Sequence, residues 1–382
     1  MTSTTARVSA DPEGGPGPSQ RATIGGSFDA RHNGLNLLRL VLAVGVIGWH
    51  SFPLTGSTLG WRPASQLLGN VFVDGFFAIS GFLIVRSWIS RPHLWPFLKA
   101  RFLRLLPGLW VCLAVTAFVI APVAAAVSGA HVSVGGMAHY VVVNAGVKVR
   151  EWGIDGTPSA VPYPGVWDGS LWTLIWELYC YLGVAALGVA GALRYPRQTV
   201  TALFVGSLAA AAAVDAHVVH NGYVVQGARF ALMFSAGALV LVWQDRVRLT
   251  RALLALAAGV LVAATLLPDY RLLAAPALAY LAIGTGTLLR APRWNLRHDL
   301  SYGTYVYAFP AQQLLATLGL AALPVPVFAV ASVVATAPLA AASWFGVERQ
   351  ALRLKGTRRM AAPAAAAPVA AAPAAVEATP AA

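Results

Sequence analysis

Residues 35–53 read LNLLRLVLAVGVIGWHSFP. An α-helix needs about 20 mainly apolar residues to cross the hydrocarbon core of a bilayer, and this run has that length and character. Only Arg39 and His50 interrupt it. Applied outward from here, the same measure finds further runs at 68–89, 104–127, 170–191, 198–215, 225–243, 250–267, 272–289, 301–321 and 326–346. The pair at 250–289 is divided only by Pro268, Asp269, Tyr270 and Arg271. Residues 137–147 (MAHYVVVNAGV) are apolar but too short to span, and read as an interfacial or re-entrant piece of a long loop. The expected fold is all-α: a polytopic membrane protein with about ten transmembrane helices.

Composition agrees. Of 382 residues, 58% are hydrophobic and 11% charged, against about 25% charged in soluble domains. Mean hydropathy is +0.66. A soluble globular enzyme, a disordered regulator and a coiled coil are excluded. The two cysteines, Cys112 and Cys180, both lie in apolar runs, which excludes a disulfide-stapled secreted domain. Residues 1–30 are rich in Pro, Gly, Ser and Thr and read as a disordered cytoplasmic arm. Residues 356–382 read as a disordered Ala/Pro-rich tail, leaving 31–355 as one membrane domain. No signal peptide is read at the start.

A net charge of +13 would suggest nucleic acid as the partner of a soluble chain. Here the placement of the charge is the informative quantity. With the N-terminus inside, the 27 lysines and arginines all fall in cytoplasmic segments except five. Arg62, Lys148, Arg150 and Arg271 lie outside, and Arg229 lies within a span. That alternation supports ten spans, both termini in the cytoplasm and no nucleic-acid partner.

Ionisable groups inside a span cost roughly 2.5–3.5 kcal/mol each on insertion scales, so each needs a reason. Arg39 and His50 are eleven residues apart, which places them on one helix face about 16 Å apart along the axis. Arg39 lies toward the cytoplasm and His50 toward the exterior. They form a stripe suited to a long substrate, or they snorkel to the two interfaces. Glu177, in GSLWTLIWELYCYL, is expected at a depth comparable with His50, where a carboxylate could orient the imidazole. The alternative is a structural hydrogen bond or ion pair, with Arg229 as a candidate partner. Asp74, in VFVDGFFAISGFLIV, either caps the start of the second span or serves the site. Gly75, Ser80 and Gly81 beside it are small enough for close helix packing. Arg101 and Arg104 share a helix face and either meet lipid phosphate or clamp the phosphates of a cytoplasmic donor. The scattered histidines give no metal cluster.

Taken in order, these segments resemble the acyltransferase-3 family of integral membrane acyltransferases. The matching elements are Arg39 with His50, the FF-x-x-SGFL run Phe76–Leu83, and the R-x-x-R pair Arg101 and Arg104. They continue with Ser170, Leu171, Trp172 and Glu177, then SY-x-x-Y at Ser301, Tyr302 and Tyr305, and finally Val347, Glu348 and Arg349. The resemblance covers about residues 30–355. It implies an O-acyltransferase of the cell envelope, in a bacterial inner or plasma membrane. Such an enzyme moves an acetyl or other short acyl group from cytoplasmic acyl-coenzyme A to a hydroxyl of a carbohydrate or lipid-linked acceptor. No tightly bound cofactor is implied. His50 and Glu177 would be catalytic, His50 as base or as acyl carrier. Arg39, Asp74, Ser80, Arg101, Arg104, Trp172, Ser301, Tyr302 and Tyr305 would bind substrate. One departure is Ala308, where many members carry histidine before an aromatic and a proline, here Phe309 and Pro310. The rival reading is a proton-coupled transporter or flippase, which buried Arg, His and Glu also suit.

Overall fold

The computed structural model describes residues 23–292 and 294–355. In chain order the helices are α1 (Ile24–Ser27), α2 (Leu35–Leu54), α3 (Arg62–Ser90), α4 (Leu94–Ser128) and α5 (Val134–Asn144). They continue with α6 (Leu171–Val189), α7 (Pro196–Asp215), α8 (Gly222–Val242), α9 (Arg251–Ala264), α10 (Arg271–Leu288), α11 (Ser301–Thr317) and α12 (Val325–Arg353). Among the described residues the only β-pairing is two isolated bridges. A helix occupies each of the ten expected segments, and eight are long and apolar enough to cross a membrane. The other two, α9 with 14 residues and α11 with 17, are shorter.

Local chemistry sets the helix starts. Pro63 and Pro196 sit in first turns, where a missing N–H costs nothing. The Asn221 side chain accepts from the backbone N–H groups of Tyr223 and Val224, at 3.0 and 3.3 Å, to open α8. Thr250 and Ser133 cap α9 and α5 in the same way. The apolar piece expected around 137–147 is the 11-residue α5, too short to span.

Two extensions change the reading of charged residues. The helix α3 starts at Arg62 rather than 68, and α4 starts at Leu94 rather than 104, so Arg101 and Arg104 lie within a helix and not in a loop. Arg271 is the first residue of α10 and is buried, not part of an exposed outer loop. The arm expected over 1–30 ends earlier. Ile24 is fully buried, and the N–H groups of Ile24 and Gly25 donate to the carbonyls of Val247 and Gln244 at 2.9 Å. The remainder of that arm, through residue 22, and the tail expected from 356 lie outside the described residues.

The helices α3 and α8 cross with their backbones in contact. A Cβ on Gly81 would lie 1.9 Å from the Phe234 carbonyl oxygen, and one on Gly237 would lie 1.8 Å from that of Ala78. Only glycine permits this approach. One apolar core gathers around α3, α8 and α10 and another around α2, α4 and α11. Val73 packs against both. The polar groups discussed next lie along that seam.

Candidate active site

At the end of the bundle where α3 finishes and α4 begins, a cavity of about 310 Å³ opens between α2, α3, α4, α6 and α12. Arg39, Arg101, Arg104, Arg297 and Lys355 line it together with Glu177 and Asp299. The arginines are not equivalent. Arg104 donates to Asp299 at 2.6 Å and to Glu348 at 2.9 Å, and Arg39 donates to Asp299 at 2.8 Å. A turn of π-helix, Trp344–Glu348, brings Trp344 to the cavity wall and Glu348 to Arg104. Burial alone would raise the Asp299 carboxyl, but the Arg104 and Arg39 guanidiniums outweigh it and hold it down to about 2. Among the described residues Arg101 has no carboxylate within ion-pair distance. It makes a 3.3 Å bond to Ser87 Oγ, and its Nε is buried without a partner. Lys355 is pushed down to about 8, first by burial and then by Arg101 and Arg104. The cationic groups free to meet an anion are therefore Arg101, Arg297 and Lys355. Arg104 belongs to the scaffold that holds them.

Two smaller cavities follow. The middle one, about 40 Å³, shares Arg39, Ser80 and Glu177 with the first and is also lined by Ser301, Tyr302 and Tyr305. It has room for a few waters. The outer one, about 110 Å³, shares Val73, Thr173 and Tyr305 with the middle one and is lined by His50, Trp172 and Arg229. The lining advances in step along three elements. On α3 it passes from Ile84 and Ser80 through Val73 to Gly69, on α6 from Tyr181 through Glu177 to Thr173, and on α2 from Arg39 to His50. Three cavities with shared walls thus lie in series between Arg101 at one end of the bundle and His50 near the other.

His50 sits at the outer end of this series with its Nδ1 buried and unpartnered. Its ring meets Phe309 edge-on at 5.1 Å. Below it, Gln312 of α11 donates to the Ile47 carbonyl and to Ser51 Oγ, both at 3.1 Å, fixing the turn of α2 that carries the histidine. Ala308, at the position of the missing histidine, is fully buried directly before Phe309.

The α11 motif has mostly scaffold contacts. Ser301 donates its hydroxyl and its N–H to Asp299 Oδ1, which opens the helix. Tyr302 donates to the Leu105 carbonyl at 2.6 Å and lies 5.4 Å from the Arg104 guanidinium. The Tyr305 hydroxyl is within 2.6 Å of Thr173 Oγ1 and donates to the Ser170 carbonyl at 3.0 Å. All three also line the middle cavity.

Two sequence expectations are corrected. Glu177 does not meet His50. It accepts from the Tyr181 hydroxyl and lines the largest and middle cavities, while His50 lines the third. The approach to α6 is itself sunk into the bundle, with Trp167, Asp168 and Ser170 at 0–1% exposure. The helix therefore starts deeper than its sequence suggests. Thr173 takes the level of His50, and Glu177 lies a further turn in, beside Arg39 and Ser80.

Asp74 is not a helix cap. With α3 extended to Arg62 it is well inside the helix, fully buried, and lines none of these cavities. It accepts from Arg229 Nε at 3.0 Å, from Arg271 Nε at 2.6 Å and from the Tyr270 hydroxyl. That cluster ties α3 to α8 and α10, so Arg229 pairs with Asp74 and not with Glu177. The residue that sequence reasoning missed is Asp299. A lone acid after Arg290 and Arg297, just before Ser301, was a visible signal.

The structure is thus a helical bundle with apolar, membrane-length helices, an arginine-lined cavity at one end and a half-buried histidine near the other, and comparison with known proteins makes it an acyltransferase. Residues 32–345 match the acyltransferase domain of the acyltransferase-3 family, and the chain belongs to that family. An O-acetyl transferase of Shigella phage Sf6 is 27% identical over 300 residues, covering 75% of this chain and 86% of the relative. No solved structure matches the chain.

Proposed function

We propose that this acyltransferase takes its acyl group from acyl-coenzyme A on the cytoplasmic side and delivers it to a hydroxyl of a carbohydrate or lipid-linked envelope acceptor on the other. The observation that carries the reading is the series of three cavities with shared walls between Arg101 and His50. Arg101, Arg297 and Lys355 would bind the donor phosphates, since guanidinium–phosphate bonds are short and charge-assisted. Arg39, fixed by Asp299, and Ser80 would line the passage of the acyl-bearing arm. Trp172 and Tyr305 would hold the acceptor, and Glu177 would act at the level of Arg39 rather than on the imidazole.

At the outer cavity His50 would take the acceptor's hydroxyl proton. The oxygen bonds to the acyl carbon, the thioester C–S bond breaks, and the coenzyme A thiol leaves with a proton. An imidazole suits this because its ordinary pKa near 6.5 lets it accept and return a proton near neutrality. The reading carries with it ten crossings, including the short α9 and α11, both termini in the cytoplasm of a bacterial plasma membrane, and the 128–169 loop outside.

Acyl transfer by purified variants at saturating donor tests the proposal. His50→Gln keeps a hydrogen-bonding side chain but cannot take the proton, and should lose about 10²–10⁴-fold in rate. Activity within a few-fold of wild type would reduce His50 to a structural residue. A probe at Ser159 that reacts only from the cytoplasmic side would overturn the topology.

A further inference from the structure

Away from the transfer path, a groove of about 700 Å³ runs between α6, α7 and α8. Trp176, Leu187, Leu203 and Phe230 form part of its walls, while Gly183 and Gly206 leave its floor open. Its volume is that of a small-molecule site. Its walls lie within the apolar helices, and Tyr179 and Leu203 are 48% and 43% exposed. A separate polar cavity of about 600 Å³ lies beside the start of α7, where its Gln198 is next in sequence to Thr199 of the groove. Arg86, Arg194 and Arg197 converge there from the end of α3, the α6–α7 turn and the start of α7. Arg86 stacks on Phe28, and Arg197 donates to the Val242 carbonyl and stacks on Trp243. None of the three has a carboxylate within ion-pair distance among the described residues, and Asp245 is the one acid lining the cavity. Arg197 and Gly206 are about 13–14 Å apart along the helix.

We infer that this is a binding site for one anionic phospholipid, its phosphate on Arg86, Arg194 and Arg197 and an acyl chain in the α6–α7–α8 groove. The charge at one end and the apolar trough at the other match the two halves of that molecule. A zwitterionic lipid offers the same chain but a weaker partner for three arginines. A soluble phosphate offers no chain. The site is separate from acyl transfer and does not depend on the reaction proposed above.

Thermal unfolding of the purified protein in neutral detergent tests the site. Phosphatidylglycerol should raise the midpoint by about 2–4 °C, phosphatidylcholine by less, and glycerol 3-phosphate not at all. The double variant Arg194→Gln with Arg197→Gln should lose the preference for phosphatidylglycerol. Gly206→Leu, whose side chain meets no atom within 4 Å of its Cβ and fills the groove, should lose the response to both lipids. Gly183→Leu repeats that test at a second open position, should the first variant fail to fold. Equal shifts with the two lipids, a shift with glycerol 3-phosphate, or an undiminished phosphatidylglycerol preference in the arginine variant would overturn the site.

Discussion

Two buried carboxylates are each gripped by two arginines, and they do different work. Asp74 lies between Arg229 and Arg271 with a tyrosine hydroxyl closing the set, is fully buried and borders none of the three cavities in series. Asp299 lies between Arg39 and Arg104 at 13% side-chain exposure and lines the largest of them. Cost of burial does not separate them, because both are paired. Closure does. A carboxylate walled off from the cavities, as Asp74 is although Arg229 reaches one of them, ties helices together, while one that itself lines a cavity sets the field that a ligand meets.

The largest effect should come from breaking that tie. Asp74→Asn strips Arg229 of its carboxylate and leaves Arg271 with Asp269 alone, at 3.0 Å, a loss on the order of 3 kcal/mol. It should show as failure to accumulate folded protein, measured by size-exclusion profile and thermal midpoint. Asp299→Asn should unfold less and fail more in function. With Arg39 released, the transfer rate should fall about 10–100-fold, as for misplaced groups in other sites, with a smaller drop in midpoint than Asp74→Asn. Equal thermal losses in the two variants would erase the distinction.

Next comes Arg101→Ala, which removes a cation with no carboxylate within ion-pair distance among the described residues. Donor affinity, read by calorimetry with coenzyme A, should weaken about 10–100-fold, the worth of one charge-assisted bond. Smaller still is a pH effect. Lys355, held near 8, is cationic below that value and loses its charge as pH rises through it. Donor affinity should fall between about pH 7 and 9, and Lys355→Gln should flatten the profile.

The smallest effect concerns the 128–169 loop. Burial raises the Asp168 carboxyl to about 7 against the opposing bonds from Tyr140, Thr116 and Cys112. Above its unfolded value near 4, the unfolded chain ionises first, so the stability this group lends falls as pH rises toward 7. Protease resistance of the 128–169 loop should decline over that range, and Asp168→Asn should be flat.

The helices were legible because a bilayer demands long apolar runs, and a helix occupies each expected segment, eight of them long and apolar enough to cross. Depth was not. Hydropathy marks where a run may cross, but the start of α6 is set by a buried loop, with Asp168 and Ser170 held by tertiary hydrogen bonds. This moved Glu177 a turn away from the level of His50. The Arg39–His50 stripe survived because helical period fixes it within one element. Pairings between elements, such as Asp299 with Arg39 and Arg104, span hundreds of residues and leave only a weak local mark, a single acid in a basic turn. Asp74 shows the converse, since an ionisable group inside a span draws attention whether or not a cavity reaches it.

Transfer along the proposed path would pass Ser80, which lines both the largest cavity and the middle one. A cysteine there gives the most direct test. Ser80→Cys should transfer acyl groups at close to the wild-type rate. After treatment with a bulky methanethiosulfonate reagent it should bind coenzyme A normally yet lose transfer. The wild-type protein, carrying Cys112 and Cys180, serves as the treated control. Full transfer by a Ser80→Cys protein shown by mass to be fully labelled would contradict the account.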